Sequence, residues 1–376
     1  HAHGQGWTDL NFLIPELATL VEYRKGPFYA AEGDFSSAGA VNVKYATTLK
    51  QGIASIGLGQ NGFARTFLAD SPILGEGNLL YAVELMRNDG PFTVGDNYRK
   101  RNGVLRYSQG TEANGFNVTL MSYDAKWHST DQIPLRAVTA GTLGRFDAVD
   151  QTDGGSASRH SLSAAWRQSS GTTFTQVNAY VVATRLNLFS NFTYFLDSPV
   201  DGDQFAQPDR RVTTGINASH SWSSKLWGRN AENTVGLQFQ NDNIFNGLLS
   251  TRARQTVSTT RKDHIVESSA GVYFENRTTW TETFRTVAGL RGDSYRFRVN
   301  GDNPANAGTA RDSIFSPKLN LIFGPWNKTE FYANAGTGFH SNDARGTTIT
   351  VDPKSGAPVD RVTPLVRSKG AEIGVR

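Results

Sequence analysis

From about residue 47 to the C-terminus one pattern keeps returning: stretches of about 8 to 15 residues in which apolar and polar side chains alternate. In NTVGLQFQND, Val235, Leu237 and Phe239 share one face, and Gly236, Gln238 and Gln240 share the other. FRTVAGLRGD sets Phe284, Thr286, Ala288 and Leu290 against Arg285, Arg291 and Asp293. SPKLNLIF sets Leu319, Leu321 and Phe323 against Lys318 and Asn320, and HSLSAAWRQ sets Leu162, Ala164 and Trp166 against Ser161, Ser163 and Arg167. Successive side chains of a strand point to opposite sides, so period two with one apolar face marks a half-buried strand. Helical periodicity is nearly absent, and the fold class is all-β. No run of 18 apolar residues occurs, which excludes a helical membrane span but not a membrane barrel, whose strands are only half apolar.

The connections narrow the choice. Short ones, around residues 169–172, 278–281 and 325–327, alternate with long polar ones at roughly 128–157, 186–210, 244–263, 298–312 and 338–367. A soluble sandwich has no reason to place its long loops on every second connection. An up-and-down barrel in an outer membrane does, with short turns at one rim and long loops at the other. The expected architecture is an antiparallel transmembrane β-barrel with about fourteen strands after residue 47. Trp127, Tyr194, Trp222, Trp227, Trp280, Trp326 and Tyr332 stand near strand ends, where they suit the headgroup girdles of such a barrel, although aromatics favour strands in any setting.

Composition removes several function classes. Thirty-eight Lys and Arg against 34 Asp and Glu leave a net charge of +4 with no basic block, so no nucleic-acid partner is expected. The chain has no cysteine, which excludes disulfides and thiolate chemistry. Gly57, Gly59 and Gly62 in IGLGQNG satisfy the dinucleotide-binding spacing, but FARTFLADSP follows as a second alternating strand, so a hairpin turn accounts for them. His1 and His3 are two candidate ligands where a structural metal site needs three or four, so neither metal nor cofactor is assigned. Glu76, Glu84, Asp150 and Asp153 lack the spacing of a carboxylate pair, and the Asn-x-Ser/Thr triplets at Asn191, Asn217, Asn276 and Asn327 arise by chance in such strands. Nothing here reads as an enzyme.

The head, up to about residue 45, differs in character. VEYRKGPFYAAEGDFSSAGAVNVKY gathers Gly26, Gly33 and Gly39 with Glu22, Glu32 and Asp34, yet offers no nucleophile–base pair. It resembles the end of the plug domain in the TonB-dependent outer-membrane receptors, which carry Val-Glu-x-x-Arg-Gly-Pro, a glycine-rich stretch and a short strand. Val21, Glu22, Tyr23, Arg24, Lys25, Gly26 and Pro27 stand at the motif, and Gly33, Gly39, Ala40, Val41, Asn42 and Val43 follow. Lys25 departs from the usual arginine: it keeps the charge but loses the two-pronged fork. The segment YANAGTGFHSNDARG, Tyr332 to Gly346, is similar to a mid-barrel strand and loop of the same receptors.

By this resemblance residues 1–46 are the C-terminal part of a plug domain, and residues 47–376 are the N-terminal part of a 22-stranded barrel in a bacterial outer membrane, expected as a monomer. The chain, opening on His1, would then begin inside a longer protein or as a mature product, with the start of the plug, its TonB-contacting box and about eight strands lying beyond it. Fourteen strands alone would leave two unpaired edges, which lipid does not tolerate. Glu22, Arg24, Lys25, Gly26 and Pro27 are expected where plug meets barrel, with Glu22 and Lys25 paired to the polar wall, since buried charges need partners. His1, His3, Gln5 and Trp7 are expected in a loop facing the ligand. His340, Asn342, Asp343 and Arg345, at the mouth, are expected to capture ligand or to brace the loop against the plug. The implied function is active import of a scarce nutrient, usually a ferric siderophore and sometimes cobalamin, another metal chelate or a glycan. The implied partners are TonB, that ligand and outer-membrane lipid. Two alternatives remain: a passive porin-like channel, which would have no plug, and a soluble β-rich carbohydrate-binding protein or enzyme, which would need clustered carboxylates.

Overall fold

A computed structural model describes residues 9–376. The N-terminal segment holds a hairpin of β1 (Ala18–Lys25) and β2 (Gly39–Tyr45), which pair with each other and with no other strand. The rest is one antiparallel sheet. Its strands are β3 (Ile53–Leu58), β4 (Ala64–Asp70), β5 (Ile73–Leu74), β6 (Gly77–Asn88), β7 (Tyr98–Gly110), β8 (Gly115–His128), β9 (Gly154–Ser170) and β10 (Thr173–Ser190). They continue as β11 (Phe205–Leu226), β12 (Arg229–Arg252), β13 (Gln255–Thr281), β14 (Phe284–Gly301), β15 (Gly308–Trp326), β16 (Thr329–Ser341) and β17 (Leu365–Val375). Each strand pairs with its sequence neighbours from β3 to β17, except that the two-residue β5 pairs with β6 beside the main path. Fourteen strands lie on that path, as the alternation and the strand-length rule implied. Among the described residues β3 and β17 each have a single partner strand.

Burial along the strands is the reverse of a soluble sheet. Leu237 is 58% exposed and Leu290 48%, while Arg291 and Asp293, on the other face of the same strand as Leu290, are 4% and 5% exposed. Likewise Leu319 is exposed and Lys318 and Asn320 are buried. Water would not tolerate such an apolar outer face, but hydrocarbon solvates it, and the polar residues are sheltered on the inner face. At the short-turn rim Trp227 lies 5.7 Å from Trp280, Trp326 lies 6.2 Å from Phe331, and Phe284 stacks on Phe323 at 5.0 Å. This half of the expected girdle is present. Trp127 packs inside instead, against the cluster of Tyr123, Ala125 and Ala157, and Tyr194 sits in a loop.

The connections alternate, with differences in extent. The long rim carries residues 89–97, 129–153, 191–204 and 342–364, and the opposite rim carries 111–114, 171–172, 227–228, 282–283 and 327–328. The long loop expected over 244–263 is a correction: β12 and β13 pair through it, Ile244 with Ile265 and Asn246 with Asp263, and turn only at Ala253 and Arg254. Both turn residues have positive φ, 48° and 65°, the two-residue hairpin geometry that normally selects Asn or Gly. With neither residue present, the sequence gives no turn signal there. The loop over 298–312 also shrinks, to residues 302–307. The glycines of IGLGQNG do serve a hairpin: Asn61 and Gly62, φ 54° and 67°, lie between β3 and β4. Among the described residues α-helix is confined to two single turns, α1 (Leu135–Thr139) and α2 (Ala344–Thr348), beside two short 3-10 turns at Pro15–Leu17 and Pro304–Asn306.

Candidate functional site

The N-terminal segment is fixed to two separated parts of the wall. Ile14 and Leu17 are fully buried in a cluster with Phe67 and Ala69 of β4, Leu80 and Ala82 of β6 and Val104 of β7. Around it Glu16 accepts from both terminal nitrogens of Arg65 (2.6 and 2.9 Å), and Arg65 and Lys100 both reach the buried Glu84 (2.6 and 2.8 Å). Asn102 donates to the Phe12 carbonyl at 2.8 Å. The second anchor lies on β12 and β14–β17. Lys318 Nζ donates to the Pro27 carbonyl at 2.9 Å and Asn320 Nδ2 to that of Phe28 at 3.1 Å. Gln238 Nε2 donates to the Ala31 carbonyl at 3.0 Å, and Arg291, clamped on Asp293 by bonds of 2.8 and 2.6 Å, reaches the carbonyls of Ala30 and Ala31. Asp34 accepts from the Ser341 amide and hydroxyl at 2.7 and 2.5 Å, and the hydroxyls of Ser37 and Ser368 are 2.6 Å apart. Residues 12–37 therefore bridge from β4–β7 to β12–β17 across the polar face of the sheet.

Two conformational requirements make this possible. Gly26 has φ 73°, and a Cβ there would lie 2.2 Å from the Phe28 ring. On the wall, a Cβ on Gly336, Gly338 or Gly370 would come within 2.9 Å of Pro27, and one on Gly289 would lie 2.9 Å from Ala30. The bare backbone of β14, β16 and β17 is what lets the segment sit so close.

The five residues expected at this contact divide differently. Pro27 is buried against the wall, and the Gly26 amide donates to the Ala38 carbonyl at 3.0 Å within the segment. Arg24 pairs with Glu22 and Glu32, each at 2.9 Å, also within the segment. Lys25 is exposed on β1. The wall's donors meet backbone carbonyls rather than the motif's charges, so no pairing of Glu22 or Lys25 with the wall is seen. Sequence reasoning missed Lys318, Asn320, Gln238 and Arg291 as the holding residues; their one signal was their place on the polar face of their strands.

At the mouth, Asp343 caps α2 by accepting from the Arg345 amide at 2.9 Å and pairs with its guanidinium at 2.6 Å. Burial raises the Asp343 carboxyl, but the Arg345 hydrogen bonds and charge outweigh it and hold the group below its ordinary value. Arg345 reaches Asn246 at 2.6 Å, and Asn246 reaches Asp209 at 3.0 Å, tying loop 342–364 to β11 and β12. Asn342 donates to the Thr363 carbonyl at 2.7 Å, and the His340 ring lies 5.9 Å from that of Phe35. These hydrogen bonds tie the mouth residues to neighbouring loop and strand groups. His1, His3, Gln5 and Trp7 lie outside the described residues.

A second knot joins the long loops around Gln204. Its amide nitrogen donates to Thr152 (2.8 Å) and Asp153 (3.0 Å), and its oxygen accepts from Thr251 (3.0 Å) and the Arg254 amide (2.8 Å). Arg254 in turn donates to the carbonyls of Thr152 and Asp153 at 2.5 and 2.9 Å, which holds the glycine-free β12–β13 turn in place. Burial, with Asp131 and Asp150 beside it, pushes the Asp153 carboxyl up to about 8 despite the Gln204 bond. Between the anchors lies a cavity of about 1500 Å³, whose inward-facing lining includes Met86, Lys100, Leu186, Asp209, Asn246 and Asp263. The described residues hold no group of three or more His, Cys, Asp or Glu fit for a metal ion.

An apolar outer face, a polar inner face and alternating rims define an outer-membrane β-barrel protein. The sequence matches the family described as TonB dependent receptor-like, beta-barrel, over residues 87–376. The chain belongs to the TonB-dependent receptor family; it is an outer-membrane protein and not an enzyme. Its structure is similar to that of the siderophore receptor PiuA from Acinetobacter baumannii (TM-score 0.76, 13% identity, covering 96% of this chain and 59% of that one). It is also similar to the copper transporter OprC (0.75, 16%, 100% and 59%) and to the unliganded ferric citrate transporter FecA (0.70, 13%, 85% and 49%). The chain thus spans about half to three-fifths of the length of these structures. Comparison with curated proteins finds no match.

Proposed function

We propose that this chain is the plug-end and barrel-start portion of a receptor that binds a ferric siderophore or a comparable metal chelate outside the cell and imports it with energy transmitted by TonB. Residues 1–46 are the end of the plug and 47–376 the barrel wall. The observation that carries the reading is the segment from residue 12 to 37, pinned at two separated parts of the wall. A passive porin has no use for such a crossing. At its second anchor the crossing is held mostly by single hydrogen bonds to backbone carbonyls, each worth about 0.5–1.5 kcal/mol, or 1.5–3 when the donor is charged. Such bonds are separable one at a time, which suits a part that must be pulled aside. Ligand preference between plug states would make occupancy legible to the energy source. His1, His3, Gln5 and Trp7 are proposed to face the ligand, with His340, Asn342, Asp343 and Arg345 shaping the mouth above it. The test is uptake of labelled ferric siderophores and cobalamin into cells carrying the receptor, with and without TonB. Uptake that vanishes without TonB supports the reading; passage that persists unchanged would make the protein a passive pore.

A further inference from the structure

The lipid-facing side of the barrel carries a feature that the import reading does not use. At the long-loop edge of the apolar belt the outward positions turn basic. Arg87 of β6 stands directly opposite Arg99 of β7, and Arg99 directly opposite Lys126 of β8. Arg185 of β10 stands opposite Arg210 of β11, and Arg296 of β14 opposite Arg311 of β15. Like charges at directly opposed positions of neighbouring strands repel, so these four contacts are a cost to the sheet. Acidic relief is sparse: Arg99 reaches Asp89 at 3.2 Å, and Asp124 stands opposite Arg101. Arg87, Arg185, Arg296 and Arg311 are exposed and make no hydrogen bond or ion pair. Arg210 lies over the Phe245 ring at 4.6 Å, an apolar support rather than a neutralising partner.

Four of these cations sit where their strands leave the belt. Below Arg87, on the same face, come Leu85 and Val83; below Arg185, Val181; below Arg210, Val212 and Ile216; below Arg311, Phe315. The basic positions thus recur along the belt's edge in three groups, on β6–β8, β10–β11 and β14–β15, on the side of loops 89–97, 129–153 and 191–204. Long loops mark the outer surface of such barrels, and the leaflet on that side presents phosphate groups at its headgroup level. We propose that this rim binds the phosphates of lipopolysaccharide, with paired arginines on adjacent strands bridging one phosphate. An anion between two arginines turns each repulsive pair into charge-assisted hydrogen bonds, for which the guanidinium fork is suited. The proposal stands whether or not the barrel imports anything.

The experiment uses the protein purified from outer membranes in a neutral detergent, titrated with bisphosphorylated lipid A and followed by native mass spectrometry and melting temperature. The parent protein binds and gains melting temperature, and the effect weakens with salt. Arg185→Gln/Arg210→Gln, with Arg296→Gln/Arg311→Gln, binds at least tenfold more weakly, yet without lipid melts no lower than the parent because repulsion has been relieved. Lys225→Gln, at the short-turn rim, binds as the parent does. Inorganic phosphate at the same phosphate concentration gives no comparable stabilisation. Equal binding of dephosphorylated lipid, parent-like affinity in the quadruple variant, or equal stabilisation by inorganic phosphate would overturn the proposal.

Discussion

Lys318→Met isolates the hold of the wall on the crossing segment. Lys318 is buried on β15 and donates to the Pro27 carbonyl at 2.9 Å and to the Thr337 carbonyl at 2.8 Å. Methionine has a similar length and no donor. The bond to Thr337 lies within the wall and is lost equally whether the segment is docked or not. The bond to Pro27 exists only in the docked state, and a charged donor makes it worth about 1.5–3 kcal/mol. At about 1.4 kcal/mol per factor of ten, the undocked fraction rises by about 10- to 150-fold. Asn320→Leu removes a neutral bond of 3.1 Å to Phe28, worth about 0.5–1.5 kcal/mol, and raises it only about 2- to 12-fold. The chain has no cysteine, so Ser36→Cys supplies a single thiol, at a buried residue whose own hydroxyl donates within the segment, to Gly33. Its maleimide labelling rate in outer membranes reads the undocked fraction. Labelling should be fastest with Lys318→Met, intermediate with Asn320→Leu and slowest in the parent. A parent-like rate in a correctly inserted Lys318→Met protein would refute docking through backbone carbonyls.

Gly336→Ala places a Cβ 2.5 Å from the Pro27 oxygen, and overpacking of this kind costs about 1–3 kcal/mol, so the same thiol should label at least about fivefold faster. Leu237→Arg puts a charge on the lipid face; at mid-membrane this costs about 2–4 kcal/mol, visible as a lower urea midpoint for the inserted barrel. For the loop knot the sign follows from a raised carboxyl. Asp153 keeps its proton up to about pH 8 in the fold, whereas an unfolded aspartate loses it near 3.9. The knot is therefore tightest at low pH and weakens as pH rises toward 8, by up to about 1.4 kcal/mol per unit. Hydrogen exchange over residues 129–153 and 191–204, corrected for intrinsic rate, should speed up between pH 5 and about 8 and level off above, and Asp153→Asn should flatten that change. An unchanged pH profile in the variant would place the titration elsewhere.

The alternation in NTVGLQFQND and FRTVAGLRGD assigned the two faces of β12 and β14 as the structure has them, because a barrel wall exposes every residue to either lipid or lumen and leaves the period unbroken. The β12–β13 turn was illegible for a definite reason. Its left-handed conformation is imposed from outside, by Gln204, Thr152 and Asp153 on Arg254, rather than encoded by a glycine. The docking site was half legible. The glycines of the head signalled close packing, but the acceptors are main-chain carbonyls, which every residue has, and the donors are single polar residues more than 200 positions away in sequence. Tyr332 to Gly346 drew notice for its loop, whereas its most consequential contribution is Gly336 and Gly338, the bed for Pro27. Glu22 and Lys25 drew notice as charges, and β1 turns them away from the wall's donors.

The central claim is that the crossing segment must leave the wall for import to proceed. Ser37 and Ser368 face each other across that contact with their hydroxyls 2.6 Å apart, in a chain without cysteine. The Ser37→Cys/Ser368→Cys variant therefore places one removable tether between segment and wall. The measurement is uptake of labelled ferric siderophore by cells carrying this variant, before and after oxidation and again after reduction. The account predicts that uptake stops when the tether forms and returns when it is reduced, with each single-cysteine variant unaffected. Uptake continuing at full rate through a completely formed tether would contradict it.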